Sequence, residues 1–411
     1  MDISKTHTLS KLLIISPWRN RWSLGKGAGV SDDDHFISQL CASGIELHFL
    51  RPASGERDSD GVTSHTYPDF FGATNWLPSP LKRLLWPFLF SVIVSFRALR
   101  VARRIQPDFI LGHSHYGSLP AYLCRELLQI PTGVKLFGVM DLVHTEWPKA
   151  KYYYKNIEQI IALKLPQDLW IILDDGTMGA DAATRHGVAP DNIRFLPNGI
   201  NTEWANDTPE RKTARVELGI QGNAQVVLFL ARFVASKRAH LVVQSIAAVH
   251  DGMDEPPVFL FVGDGPEKDR CEAMARQLGV ASLTRFVGSI PHDDVPRAMA
   301  AADVFVSTST LTNAAIPTCE AMVCGVPVVA FDVGNTTTVL RDGETGRVVR
   351  DGDMDAFAGA IVGLLRDGNE RQRIARSARL YAAENFTPWS ARIQMEIDAI
   401  EATVRGRTES S

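Results

Sequence analysis

Short apolar runs rich in β-branched residues recur along the chain, separated by longer stretches of helical periodicity. "KLLIIS" (11–16), "IELHFL" (45–50), "DFILGHS" (108–114), "PTGVKLFG" (131–138) and "DLWIILD" (168–174) form a first series of strand candidates. After the polar stretch "ANDTPERKT" comes a second series: "QVVLFLARF" (225–233), "PVFLFVGDG" (257–265), "TRFVGSI" (284–290), "ADVFVST" (302–308) and "VPVVAFD" (326–332). Near-continuous apolar runs mark strands buried on both faces, and helices between them mark βαβ units. The pattern predicts an α/β chain of two consecutive parallel-sheet domains, over 1–205 and 206–387, with a hinge near 200–215. A final helix is expected from Pro388 to about Arg407, within a terminal segment 388–411.

Composition narrows the class. A chain of 411 residues exceeds one ordinary core, which fits two domains. The net charge of −4 supplies no basic field for nucleic acid. Five cysteines (41, 124, 271, 319, 324) are scattered with no CxxC pair, as expected of reduced thiols rather than a disulfide or zinc framework. The start, "MDISKTHTLSKLLIIS", lacks an apolar signal core, and no apolar run approaches the ~18–20 residues of a spanning helix. A cytoplasmic protein is the expectation. One segment departs from the average: between Phe70 and Pro107 there is no Asp or Glu, whereas Lys82, Arg83, Arg97, Arg100, Arg103 and Arg104 are present around "LLWPFLFSVIVSF" (84–96). It reads either as a buried helix with a solvated basic end or as a surface that docks on anionic lipid.

Several stretches carry candidate chemistry. In "LFLARFVASKRAH" (228–240), Arg232 and Lys237 follow a strand end. Ligands of open parallel sheets bind there, and an Arg with a Lys suits a diphosphate. In "FVGDGPEKDR" (261–270), Gly263 and Gly265 permit close backbone approach, and Pro266 can open a helix. "LTNAAIPTCEAMVCGVPVVA" (311–330) predicts a helix starting near Pro317 and stopping at Gly325. The amides of Asn313, Ala314, Ala315 and Ile316 would then gather at its positive end as a seat for phosphate or sugar hydroxyls. Glu320, one turn in, suits a ribose diol or simply complements the helix dipole. A metal held by Cys319, Glu320 and Cys324 is disfavoured, since the adjacent pair 319–320 splays apart on a helix. "GKGAGVSDDDHF" (25–36) is a glycine-rich loop, with Ser31 and Asp34 as a capping box.

In this order the motifs are familiar. "ARFVASKR", "FVGDGPEKDRCEAMARQLGV", "RFVGSI" and "EAMVCGVPVVAFDVGNTTTVLRDGETGRVV", with "LDDGTMGADAATRHGV" and "RFLPNGIN" before them, resemble retaining glycosyltransferases of the two-domain GT-B fold, family 4. The resemblance covers nearly the whole chain. It implies two Rossmann-like domains facing a central cleft, the first binding the acceptor and the second the nucleotide sugar, with the terminal helix crossing back. It implies that Arg232 and Lys237 neutralise the donor diphosphate as it leaves and that Glu320 holds the ribose. Backbone near Ile290 would receive the base, and Gly263 would lie beside the donor. Thr312, Asn313, Ala314, Ala315 and Ile316 would touch sugar and phosphate, and Gly27 and Gly29 would close on the diphosphate. Thr312 stands where the family commonly has a glutamate, and Phe137 where many members have a histidine. His115 and Asp141 are the acceptor-side candidates, with His113 nearby.

The implied activity is metal-independent transfer from a nucleotide-diphosphate sugar to a lipid-linked, polysaccharide or other glycan acceptor, with no cofactor. Arg97, Arg100, Arg103 and Arg104 would supply a peripheral membrane contact. Two other readings stay open: a non-catalytic relative binding sugars or a partner, and an NADP-dependent oxidoreductase with Arg51 near a 2′-phosphate.

Overall fold

The computed structural model describes residues 8–17, 31–53, 61–68, 79–144, 147–220 and 223–410. The chain forms two compact units. Among the described residues, the first comprises 8–17, 31–198 and 389–410, and the second 199–388.

The first unit is built on seven strands: β1 (Lys11–Ile15), β2 (Glu46–Pro52), β3 (Val62–Tyr67), β4 (Phe109–His113), β5 (Thr132–Leu136), β6 (Leu169–Leu173) and β7 (Ile193–Leu196). They pair in the order β3-β2-β1-β4-β5-β6-β7, every pair parallel. β4, β5 and β6 are buried at every position, which explains their unbroken apolar runs. The order reverses between β1 and β4. Helix Ser79–Ile105 packs on helix Ser118–Leu128, which also touches helix Lys149–Leu163. The last helix, Trp389–Ser410, packs against helix Ser31–Ala42 and against β6 and β7.

The second unit has six strands: β8 (Val226–Leu230), β9 (Val258–Val262), β10 (Thr284–Gly288), β11 (Val304–Ser307), β12 (Val328–Asp332) and β13 (Arg347–Arg350). Their order is β10-β9-β8-β11-β12-β13, again all parallel, and the switch falls between β8 and β11. Two apolar clusters belong to this unit, one around Leu228, Phe305 and Met322 and the other around Phe229, Phe261 and Phe357.

The expected boundary at 205/206 lies seven residues late. The segment after Gly199 is already tied into the second unit: Ile200 bridges to Pro388, and Ile200 and Trp204 are buried in its core. Three strands carried no recognisable run, β3, β7 and β13. All three are edge strands and are partly solvated, so their sequences, "VTSHTY", "IRFL" and "RVVR", lack a continuous apolar signal.

Candidate donor site at the β8/β11 switch

The loops leaving β8 and β11 meet at the carboxyl edge of the second sheet, where open parallel sheets take ligands. After β8 the chain makes a short 3-10 turn, Ala235–Lys237, and Arg238 then adopts a left-handed φ of 48°. The Arg238 guanidinium donates to the carbonyls of Thr308 (2.6 Å) and Ser309 (2.9 Å) and to Asp351 (2.6 Å). In return the Thr308 hydroxyl donates to the Lys237 carbonyl (2.8 Å) and the Thr310 amide to that of Ser236 (2.8 Å). The two loops are therefore cross-tied. Arg232 is exposed and Lys237 half-buried on this edge. The sequence reading singled out both but passed over Arg238, because a second cation in "ASKR" gives no sign that it faces carbonyls.

The loop 308–315 is held by Asn313, which is fully buried. Its Oδ1 accepts from the Ser307 hydroxyl (2.6 Å) and the Ser309 amide (2.8 Å), and its Nδ2 donates to the Phe331 carbonyl (2.7 Å). The expectation of four free amides needs correction. The Asn313 amide donates to Thr336 Oγ1 (2.9 Å) and the Ala314 amide to Thr312 Oγ1 (2.9 Å). Thr312 also bonds to Asn335. Among the described residues nothing accepts from the amides of Ala315 and Ile316. They lie at the start of helix Ile316–Cys324, which has Pro317 in its first turn and stops at Gly325 (φ 72°) as its sequence predicts.

Gly263 has a packing reason. At its φ of 131° a Cβ would fall 2.0 Å from the Ala231 carbonyl oxygen, so the glycine lets the β9 loop close on the β8 loop. Ile290 is half-buried and packs on the core of the second unit. Pro266 precedes the helix Lys268–Gln277 by two residues rather than opening it. Gly27 and Gly29 lie outside the described residues, as do the side chains of Ser31 and Asp34.

Glu320 is 1% exposed. Its Oε1 accepts from Asn201 Nδ2 (3.0 Å) and lies 3.5 Å from His292 Nε2. Asn201 Nδ2 is also 2.9 Å from that imidazole nitrogen, and Trp204 packs on the His292 ring with centroids 5.1 Å apart. Burial pushes the Glu320 carboxyl up to about 8; the Asn201 hydrogen bond opposes the rise and the Glu203 charge adds to it. Asn201 and His292 were missed: "RFLPNGIN" was legible as a motif, but a neutral amide far along the chain shows no partner until the fold is drawn. Cys319 and Cys324 are buried in the apolar core.

The acceptor-side candidates of the first unit divide. His115 is half-buried, 3.5 Å from Glu158, with Tyr116 donating to the same carboxylate (2.8 Å). Asp141 is fully buried: Tyr152 donates to it, and His186 Nε2 (3.0 Å) and Arg185 (3.9 Å) pair with it. It has no surface for an acceptor and serves as an internal anchor. His113, also buried, meets the Phe137 ring edge-on at 5.9 Å. Arg51 is buried, donating to Ser64 (3.0 Å), so it offers no 2′-phosphate site.

Of the four arginines expected at a membrane, two turn to the edge strand. Arg97 donates to the Thr66 carbonyl (2.9 Å) and Arg104 meets His65 (3.3 Å). Arg100 and Arg103 face outward, on one stripe with Val92 and the 71% exposed Phe96. Phe90, Val94 and Ser95 are buried, so one face of this helix is core while the opposite face is basic and exposed. No described helix is long and apolar enough to cross a membrane.

Comparison with known proteins agrees with this architecture. The family described as "Glycosyl transferases group 1" matches residues 210–381, and "Glycosyltransferase Family 4" matches 34–204. A lipopolysaccharide core biosynthesis glycosyltransferase, LpsE of Rhizobium meliloti, is 35% identical over 346 residues, 83% of this chain and 86% of that one. A D-inositol 3-phosphate glycosyltransferase of Acidothermus cellulolyticus is 34% identical over 206 residues, 48% of this chain, so the match spans only 45% of that relative's length. In structure, Anabaena HepE in complex with UDP and glucose superposes with a TM-score of 0.69 at 18% identity, covering 98% of this chain and all of that one. Two Rossmann-like units, two consecutive family matches and a relative matched over most of its length lead to one conclusion: the chain belongs to the group 1, family 4 glycosyltransferases of the GT-B fold.

Proposed function

We infer that the protein transfers a sugar from a nucleoside-diphosphate sugar to a glycan or lipid-linked acceptor, with retention at the anomeric carbon and without a metal. The observation that carries this reading is the cross-tied pair of loops at the β8/β11 switch, presenting Arg232, Lys237 and the amides of Ala315 and Ile316. Departure of the diphosphate develops negative charge, and fixed cations and amides stabilise it where it forms. Glu320 would hold the ribose. Thr312 and Ala314 would border the donor sugar, and Asn313 would shape the loop from within. Attack on the face the diphosphate leaves, with a diphosphate oxygen drawing the acceptor proton, requires no paired carboxylates. HepE was solved with UDP and glucose, and LpsE is named for lipopolysaccharide core synthesis; both support a nucleotide-sugar donor and a glycan acceptor.

Donor turnover is the test. With a panel of UDP-, GDP- and ADP-sugars, Arg232→Ala and Lys237→Ala are each expected to lower kcat about 10²–10³-fold, the size of effect seen for single charge-stabilising donors. Activity should persist in EDTA, and the product should keep the donor's anomeric configuration. Unchanged turnover in both variants sinks the assignment; a requirement for divalent metal overturns the metal-free part.

The same reading places the protein on the cytoplasmic face of an anionic membrane. Support comes from the Val92, Phe96, Arg100 and Arg103 stripe and from helix Lys149–Leu163, which exposes Tyr153, Tyr154, Ile157 and Ile161 with Lys149, Lys151 and Lys155. Apolar and aromatic groups among lysines and arginines suit the headgroup region. Phe96→Ser with Arg100→Ser should leave the melting temperature unchanged and reduce co-sedimentation with phosphatidylglycerol vesicles; undiminished binding refutes that contact.

A further inference from the structure

The polar group around Glu320 is unusual for its burial. The Glu320 side chain keeps only 2% of its surface, yet among the described residues neither Lys nor Arg pairs with it. Its contacts are the Asn201 amide on one oxygen and, farther off, the His292 imidazole on the same oxygen. Among the described residues no hydrogen bond reaches Oε2, and this oxygen is not one of the unpartnered atoms shut away from solvent. A carboxylate held by one oxygen, with the other left over, is arranged to receive a further donor group.

We propose that Asn201 is a positioning residue for the donor, holding Glu320 by Oε1 so that Oε2 meets the ribose diol, and that diol binding releases one proton from this carboxyl to solvent. The proposal rests on Glu320 being the ribose anchor and adds what aims it and what its charge does.

The chemistry follows from the surroundings. Two ribose hydroxyls donate best to an ionised carboxylate, which accepts only. In the empty site burial favours the protonated carboxyl, consistent with the rise to about 8. The other titratable or charged groups around it do little to ionise it. Glu203, from the 3-10 turn Thr202–Ala205, opposes the negative charge. Cys319 and Cys324 on its own helix are buried thiols, and burial pushes Cys324 up to about 12. Arg379, from helix Gly368–Asn385, donates to the Cys324 carbonyl instead. His292, with its side chain 39% exposed, is the group through which the proton can reach water. Asn201 is the remaining lever: its N–H stabilises the ionised form, so it sets the pH at which the diol is taken.

The test compares UDP with 2′,3′-dideoxy-UDP, or the GDP pair if GDP binds more tightly, by calorimetry from pH 6.5 to 9. Taking the ratio of the two affinities cancels ionisation of the diphosphate. The ratio is expected to climb towards tenfold per pH unit up to about pH 8 and then level. Buffers of different ionisation enthalpy should report one proton released near pH 7. Glu320→Gln should flatten the ratio. Asn201→Ala should move the rise upward by about one pH unit, a hydrogen bond to a charged group being converted to a pKa shift. It should also raise the donor KM with kcat at saturation retained, which a general loss of folding would not do. Equal binding of ribo- and dideoxynucleotide in the wild type would remove the ribose assignment itself. A ribose preference that is independent of pH, or unmoved by Asn201→Ala in a protein of unchanged melting temperature, would overturn the present proposal and leave the ribose assignment standing.

Discussion

Asn313 shows how a residue in a ligand loop can be committed to the protein rather than to the ligand. Its side chain satisfies Ser309 N and the Phe331 carbonyl in a buried setting. Asn313→Ala strands both, and buried unsatisfied groups of this kind cost about 1–3 kcal/mol each, so a loss of about 2–6 kcal/mol is expected in urea unfolding. Asn313→Asp should cost at least as much, since its second oxygen would face the Phe331 carbonyl acceptor to acceptor in a buried site. At this scale the sequence was informative about cations and glycines, which advertise themselves by type and by place after a strand. It was uninformative about amides. Whether the Ala314 N–H is free depends on the Thr312 hydroxyl two residues back, and whether Asn201 matters depends on Glu320, 119 positions on. Asp141 misled for the same reason: a carboxylate near a strand end reads as available until Tyr152 and His186 are folded over it.

Among the elements, the helix Trp389–Ser410 is joined to its sheet by charge as well as by apolar contact. Lys135 on β5 donates to Glu396 (2.9 Å), Arg392 bonds to the same carboxylate, and all three side chains are fully buried. Arg392 also reaches the Pro197 carbonyl (3.4 Å), and His35 stacks on Trp389 with centroids 4.6 Å apart. Removing one member of a buried network leaves charge without compensation. Glu396→Ala is therefore expected to destabilise the first unit by about 3–5 kcal/mol by denaturant melting, whereas an exposed neighbour such as Asp398→Ala should be near neutral. Strand existence was legible wherever both faces are covered. The terminal helix was legible from its periodicity, but its lysine partner was not, because Lys135 sits in "GVKLF" as if it were a surface break in the run.

For the molecule as a whole, two sheets with separate cores imply two cooperative blocks. Calorimetry is expected to show a transition broader than two-state, resolvable into two components. A nucleoside diphosphate held by the second unit should raise its component by about 2.7 kcal/mol at a hundredfold excess over Kd and leave the other in place. A single sharp transition moved as one by ligand would show that the blocks melt together. The general architecture was readable in advance because parallel strands repeat one signal many times, so single errors at β3, β7 and β13 did not alter it. The boundary was less readable, since Ile200 and Trp204 look like linker residues until they enter a core.

The first unit is interrupted, and that has a consequence during synthesis. Its strands are complete by Leu196, but Lys135 finds its counter-charge on Glu396, after the whole of 199–388. On a ribosome moving at about 5–20 residues per second, those roughly 190 residues keep the first sheet waiting on the order of 10–40 s with Lys135 lacking its counter-charge. The second unit, contiguous among the described residues, can close before the first is finished. A nascent chain stalled short of residue 389 should therefore expose its earliest-made half to chaperones and proteases while its later-made half is already folded.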